Sequence, residues 1–173
     1  STTDQLVRTQ AGIYGPELEK EIQARGFTVS HFPQSFEYST VGGWIAARGS
    51  GQQSGKYGKI EDMVYSARIV TPTGIFESDA VPAASTGPDL CSLLIGSEGT
   101  MGVITEATLR VHELPERRSY RAFLFPRFED GVAVLQAATR AAWPETAMLR
   151  LSDPEESRLL GLLSRLRHSQ STK

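Results

Sequence analysis

The chain has 173 residues, 39% of them apolar and 22% charged, which is enough for an ordinary globular core and excludes a disordered tail. Eighteen Lys and Arg against twenty Asp and Glu leave a formal charge of −2, with no broad basic face for a nucleic-acid backbone, so the composition argues against nucleic acid as a partner. The lone Cys91 cannot form an internal disulfide, no Cys/His cluster has metal spacing, no apolar run spans a bilayer and residues 1–5 lack signal-peptide character; a metal-free chain in a reducing, cytoplasmic setting is expected.

Taken in chain order, residues 6–14 read as a strand, and Pro16 opens a charged helix over 17–25 with Gly26 as its C′ residue. Residues 27–29 then return as a strand, so the opening reads as βαβ. Residues 63–70 are apolar and β-branched enough for a strand, with a Thr71-Pro72-Thr73-Gly74 turn and a hairpin partner at 75–77. Thr86-Gly87-Pro88 opens a short helix through 94, with proline in its first position. Residues 103–111 alternate as a long strand, placing Val103, Thr105, Ala107, Leu109 and Val111 on one face.

After Leu114-Pro115-Glu116 the character changes. Residues 120–125 read as a strand, 128–142 as an alanine-rich helix with Val132, Leu135 and Thr139 on one stripe, and 147–151 as another strand. Asp153, Pro154 and Glu156 form a helix start as N-cap, N1 and N3. That helix carries Leu159, Leu160, Leu162, Leu163 and Leu166 around most of its circumference, and only seven residues follow. A chain that starts almost on its first strand and stops behind such a helix is expected to be a piece of a larger protein.

Between residues 42 and 58 there are six glycines in seventeen residues, and Gly96, Gly99 and Gly102 form a second cluster. Such windows arise where backbone turns tightly or comes too close to a ligand for a Cβ, so a phosphate-bearing cofactor and simple turns are both open readings. Gly55-Lys56 is no P-loop, because Ser50 stands where the first glycine belongs and Tyr57 replaces the Ser/Thr. Gly49-Ser50-Gly51 lacks the strand ahead and the helix behind that a Rossmann fingerprint needs. What remains is Ser39-Thr40-Val41-Gly42-Gly43 opening a short apolar helix, which would aim free N–H groups at one point, and the loop 96–102 leading into the long strand.

These two segments, T-V-G-G at 40–43 and G-S-E-G-T-M-G-V-I-T-E-A-T over 96–108, resemble the flavoproteins of the vanillyl-alcohol-oxidase type. Segments 10–13, 31–44, 57–62, 85–89 and Arg150-Leu151-x-Asp153 are similar to the branch of that group that makes ether lipids; Trp44 and S-T-G-P-D at 85–89 separate it from the D-lactate and glycolate oxidases. The resemblance implies an α+β fold: residues 1–115 as the second subdomain of a PCMH-type FAD-binding domain, and 116–173 as the start of a truncated α+β substrate cap. The family's first flavin subdomain and its catalytic histidine cluster have no counterpart in the sequence.

The implied cofactor is FAD, contacted in three segments: Gln34, Ser35, Phe36, Glu37, Tyr38, Ser39 and Thr40; Ala47, Arg48, Gly49 and Ser50; and Glu98, Gly99, Thr100, Met101, Gly102, Val103 and Ile104. Hydroxyls and Arg48 suit phosphate chemistry, although a surface ion pair is as good a reading of Arg48. Arg150 is the candidate catalytic residue, holding the substrate phosphate. The implied reaction exchanges the acyl group of acyl-dihydroxyacetone phosphate for a fatty alcohol without net redox change. Oxidation of a 2-hydroxy acid such as D-lactate or glycolate is the alternative, and a non-catalytic flavin-binding remnant is a third reading. The family also implies a homodimer, peripheral membrane contact and, in a eukaryote, a peroxisomal location. Glu61-Asp62 reads as a turn or cap, His31, His112 and His168 as structural or solvated, and Cys91 as a core residue.

Overall fold

The structure, a computed structural model, describes residues 1–78, 81, 85–143 and 145–161. It divides into two units, the first Ser1–Arg118 and the second starting at Ser119. The first contains β1 (Leu6–Gln10), α1 (Gly15–Gln23), β2 (Phe27–Thr28), α2 (Val41–Ala46), α3 (Ser54–Tyr57), α4 (Ile60–Met63), β3 (Val64–Thr71), β4 (Gly74–Glu77), α5 (Leu90–Leu94), β5 (Val103–Arg110) and β6 (His112–Glu113). The mixture of helix and antiparallel sheet is the α+β class expected from the sequence.

Four strands form an antiparallel sheet in the order β1-β5-β3-β4. The β3–β4 hairpin follows from its turn: Thr71 Oγ1 donates to the Gly74 carbonyl at 2.8 Å, and Gly74 has φ +144°. The opening is not a βαβ unit. β1 joins the large sheet while β2 pairs only with β6, Phe27 opposite Glu113 and Thr28 opposite His112. The first strand also stops at Gln10, and Tyr14 makes only an isolated bridge to Thr40. α1 has Pro16 in its first turn as expected; it ends at a cap on Ala24, and Gly26, two residues on, takes φ +83°. α5 starts two residues later than its proline implied, because Asp89 caps it, its Oδ1 accepting from Ser92 N at 3.1 Å.

The core lies between one sheet face and the helices: Leu18 and Ile22 of α1, Val41, Trp44 and Ile45 of α2, and Ile60 and Met63 of α4 meet Ala107 and Leu109 of β5. Alternation along β5 holds for Ala107, Leu109 and Val111 but fails at its start, where Val103 is 68% exposed. The cause is an extra residue: Arg68 pairs with Glu106 while Ile69 pairs with Ile104, leaving Thr105 unmatched. This bulge reverses the facing of the first two residues, so Ile104 packs on the core and Val103 turns out.

In the second unit, α6 (Phe128–Ala141) ends on Ala142 in the left-handed conformation. Its buried residues are Gly131 and Ala138, with Leu135 half-buried between them; Thr139 is exposed and its hydroxyl bonds back to Leu135 O. Val132 and Leu135 thus lie on the buried stripe as expected, and only Thr139 gives way, to Ala138. Residues 120–125 and 147–151 are not strands. A strand is stable only with a partner ladder, and Tyr120, Phe123 and Leu124 stand 82%, 69% and 101% exposed. The Asp153 cap forms as read, its Oδ1 accepting from Glu156 N at 2.7 Å, and residues 154–161 are helical. Leu162, Leu163, Leu166 and His168 lie outside the described residues. Among those described, no helix is long and apolar enough to cross a membrane.

Candidate functional site

Thr40 opens α2 by accepting from Gly43 N on Oγ1 at 3.2 Å. The two amides before it are also taken: Val41 N donates to Ile13 O at 3.1 Å and Gly42 N to Ala11 O at 2.8 Å. This corrects the expectation of free N–H groups at this helix start. The segment following β1 docks on it, and Gly42 allows the approach, since a Cβ there would stand 2.8 Å from that of Ala11. Ser39 is committed as well, its Oγ donating to Ser35 O at 2.7 Å and accepting from Trp44 Nε1 at 2.7 Å.

The second glycine cluster is fixed to the far end of the same helix. Gly96 N donates to Ile45 O at 2.9 Å and Glu98 N to Ala46 O at 3.0 Å. Gly102 must be glycine, because at its φ of +144° a Cβ would lie 2.3 Å from Val70 O.

Between the two clusters runs an open groove of about 380 Å³. Its walls are Thr40, Gly42, Gly43 and Ala46 on one side, Gly99, Gly102, Val103 and Ile104 on the other, and Ala11 and Gly12 from the turn after β1. Five of these ten residues are glycine and none is charged. Thr40 supplies the only side-chain polar group of the lining; with Oγ1 accepting from Gly43, its hydroxyl hydrogen remains a donor. Such a wall, backbone and small apolar groups with room above it, fits a flat or uncharged portion of a large ligand.

Of the expected contact residues, Thr40, Gly99, Gly102, Val103 and Ile104 line this groove. The others lie outside its lining. Gln34, Ser35, Glu37 and Tyr38 are exposed, Tyr38 by 84%, and Phe36 stacks on Trp44 with ring centroids 6.1 Å apart. Ala47 and Ser50 are exposed, and Gly49 packs beside His31 and Trp44. Glu98 and Met101 are exposed, and Thr100 caps its own turn by donating to Ser97 O at 2.7 Å. Arg48 pairs with Glu61 at 3.1 Å and donates to Ile95 O at 2.9 Å. Arg150, in the second unit, is exposed, is not on a strand and pairs with Glu156. Sequence reasoning left out Ala11, Gly12, Gly42, Gly43 and Ala46; the signal for four of them was present in the Gln10–Ile13 and T-V-G-G segments that carry the resemblance.

The titratable groups near the site are structural. His31 is 1% exposed, its ring 4.9 Å from that of Trp44, and burial pushes its pKa down to about 4. Burial, then the charge of Lys56, lowers His112, and burial raises the Cys91 thiol. Asp62 is a cap, accepting from Lys59 N at 2.8 Å. Among the described residues no three side chains are grouped to hold a metal ion.

Residues 1–78, which contribute Ala11, Gly12, Thr40, Gly42, Gly43 and Ala46 to this groove, match the family model described as an FAD binding domain. FAD is the cofactor of this fold. More particularly, the chain is similar to alkyldihydroxyacetonephosphate synthase: it is 47% identical to that of Dictyostelium discoideum over 150 residues, 87% of this chain and 24% of the relative. A solved structure of alkyldihydroxyacetonephosphate synthase superposes with a TM-score of 0.85 at 45% identity, over 92% of this chain and 28% of the other. Likeness to D-lactate dehydrogenases is weaker, 35% over 163 residues for the mitochondrial cytochrome-linked enzyme of Arabidopsis thaliana, 92% of this chain and 28% of that one. The chain spans about a quarter of the length of the curated relatives it matches.

Proposed function

We propose that the chain is the FAD-binding part of an enzyme that exchanges the acyl group of acyl-dihydroxyacetone phosphate for a fatty alcohol. The observation that carries this reading is that the T-V-G-G and 96–108 segments, which resemble the vanillyl-alcohol-oxidase type, meet in space as the walls of one groove, joined there by Ala11 and Gly12 from a segment similar to the ether-lipid branch. In this reading Thr40, Gly99, Gly102, Val103 and Ile104, with Ala11, Gly12, Gly42, Gly43 and Ala46, hold an uncharged part of FAD. The lining contains no cation, so the charge of the pyrophosphate is met elsewhere. FAD, when bound, supplies the ring at which the exchange takes place. Its substrates are a phosphate-bearing lipid precursor and a fatty alcohol.

Arg150 is assigned the substrate phosphate, for which a guanidinium offers a two-pronged donor. Its link to Glu156 is an exposed pair that an incoming phosphate can displace. The test mixes the whole enzyme, of which the chain is the FAD-binding part, with acyl-dihydroxyacetone phosphate and a long-chain alcohol. Fatty acid should be released with no electron acceptor consumed, and Arg150→Ala should raise KM roughly tenfold to a hundredfold, the scale of a lost charge-assisted hydrogen bond, with flavin content unchanged. Reduction of a dye by D-lactate or glycolate, without exchange, overturns the reading.

A further inference from the structure

Beyond α2, the chain turns at Arg48 with φ +50°, a conformation that side-chain-bearing residues adopt only when their surroundings hold them there. What holds it is on both sides. Nη2 of the guanidinium donates to Ile95 O at 2.9 Å and lies 3.4 Å from Ser92 O, at the C-terminal end of α5. Nη1 lies 3.1 Å from Glu61 Oε2, and Glu61 Oε1 lies 2.5 Å from Lys59 Nζ. Glu61 Oε2 is shut off from water and has no hydrogen bond, so the Arg48 charge is its compensation. Gly96 makes room for the arginine: a Cβ there would stand 3.0 Å from Arg48 Nε.

The loop that continues from Ile95, 96–102, provides one wall of the groove, and α2 provides the other. A cation committed to a carbonyl and to a half-buried carboxylate is poorly placed to bind phosphate as well, but it is well placed to set the separation of the walls. We propose that Arg48 and Glu61 form a clamp that positions the 96–102 loop against α2, and that Arg48 shapes the FAD groove without touching the cofactor. The cofactor arm of this inference rests on the groove being the FAD site; the loop-ordering arm does not.

The experiment compares the whole enzyme that contains this chain with its Arg48→Ala, Glu61→Gln, Arg48→Lys and Arg48→Ala/Glu61→Gln double variants. Hydrogen exchange is measured without cofactor, and FAD binding by titration of flavin fluorescence. The clamp predicts that both single variants speed exchange of the 96–102 amides about tenfold, the equivalent of one charge-assisted contact, while the β3–β5 ladder amides are unmoved. Both should weaken FAD to a similar degree, the double variant should be no weaker than Arg48→Ala, and Arg48→Lys should recover part of the loss. If Arg48→Ala weakens FAD and Glu61→Gln does not, Arg48 is a direct ligand and the proposal falls. Unmoved exchange at 96–102, or faster exchange throughout the ladder, overturns it too. If the unaltered protein takes up no FAD, it is the site reading that fails, and the exchange data still decide the clamp.

Discussion

Lowering the pH from 7.5 to 5 should destabilise the first unit chiefly through His31, with a smaller contribution of the same sign from His112. Its ring is 1% exposed beside Trp44, and neither Nδ1 nor Nε2 has a hydrogen-bond partner. The folded state therefore holds the neutral imidazole, with its pKa lowered to about 4 from 6.5 by burial. A base depressed in the folded state contributes fully above pH 6.5 and loses that contribution as the pH falls from 6.5 towards 4, because the unfolded chain takes up the proton first. Protonation at pH 5 favours the unfolded state by about 2 kcal/mol, and the full loss below pH 4 is at most about 3 kcal/mol, at 1.36 kcal/mol per pKa unit. Urea unfolding at the two pH values should show this difference, and His31→Leu, which removes the titrating ring, should lose most of it. Titration of the His31 ring followed by NMR should give a midpoint well below 6. An equal pH difference in both proteins, or a ring midpoint near 6.5, refutes the reasoning.

Two further substitutions test the packing described above. Gly102→Ala forces a Cβ to within 2.3 Å of Val70 O at positive φ; a loss of about 2 kcal/mol or more is expected in urea melts, because backbone must move at both strands. Glu19, 5% exposed, accepts from Thr28 Oγ1 at 2.9 Å, Val29 N at 2.9 Å and Ser30 N at 3.3 Å. Glu19→Ala strands those donors and should cost about 3 kcal/mol or more, whereas Glu19→Gln keeps one acceptor oxygen and should cost less; equal losses in the same melts refute that view.

Features held by neighbours in sequence were legible beforehand. The β3–β4 hairpin, the Asp153 cap and the start of α1 each depend on residues within a few positions, and the sequence reading located each of them to within two residues. What escaped was decided across distance. That β2 would leave the main sheet for β6 depends on a pairing more than eighty residues away. The amides of Val41 and Gly42 looked available because their acceptors, Ile13 and Ala11, lie about thirty residues earlier in the chain. The Thr105 bulge, which turns Val103 outward, arises from register with β3 and has no local marker such as glycine. In the site, the glycine loops were visible and the Gln10–Ile13 segment carried a signal for Ala11 and Gly12, but which segments would meet was not legible; of the two readings of Arg48, phosphate cation and ion pair, the structure forms the ion pair, with Glu61.

The glycines of the groove divide by what the fold demands of them. Gly42 and Gly102 are packed against other backbone, but a Cβ at Gly12 would meet nothing within 4 Å, and one at Gly43 would meet only Thr40 Oγ1 at 3.4 Å. The polypeptide can fold with alanine at 12 or 43, so folding alone places little restraint on either position. A methyl group at 12 or 43 is therefore felt by whatever occupies the groove and not by the fold, whereas one at 42 or 102 is felt by the fold itself.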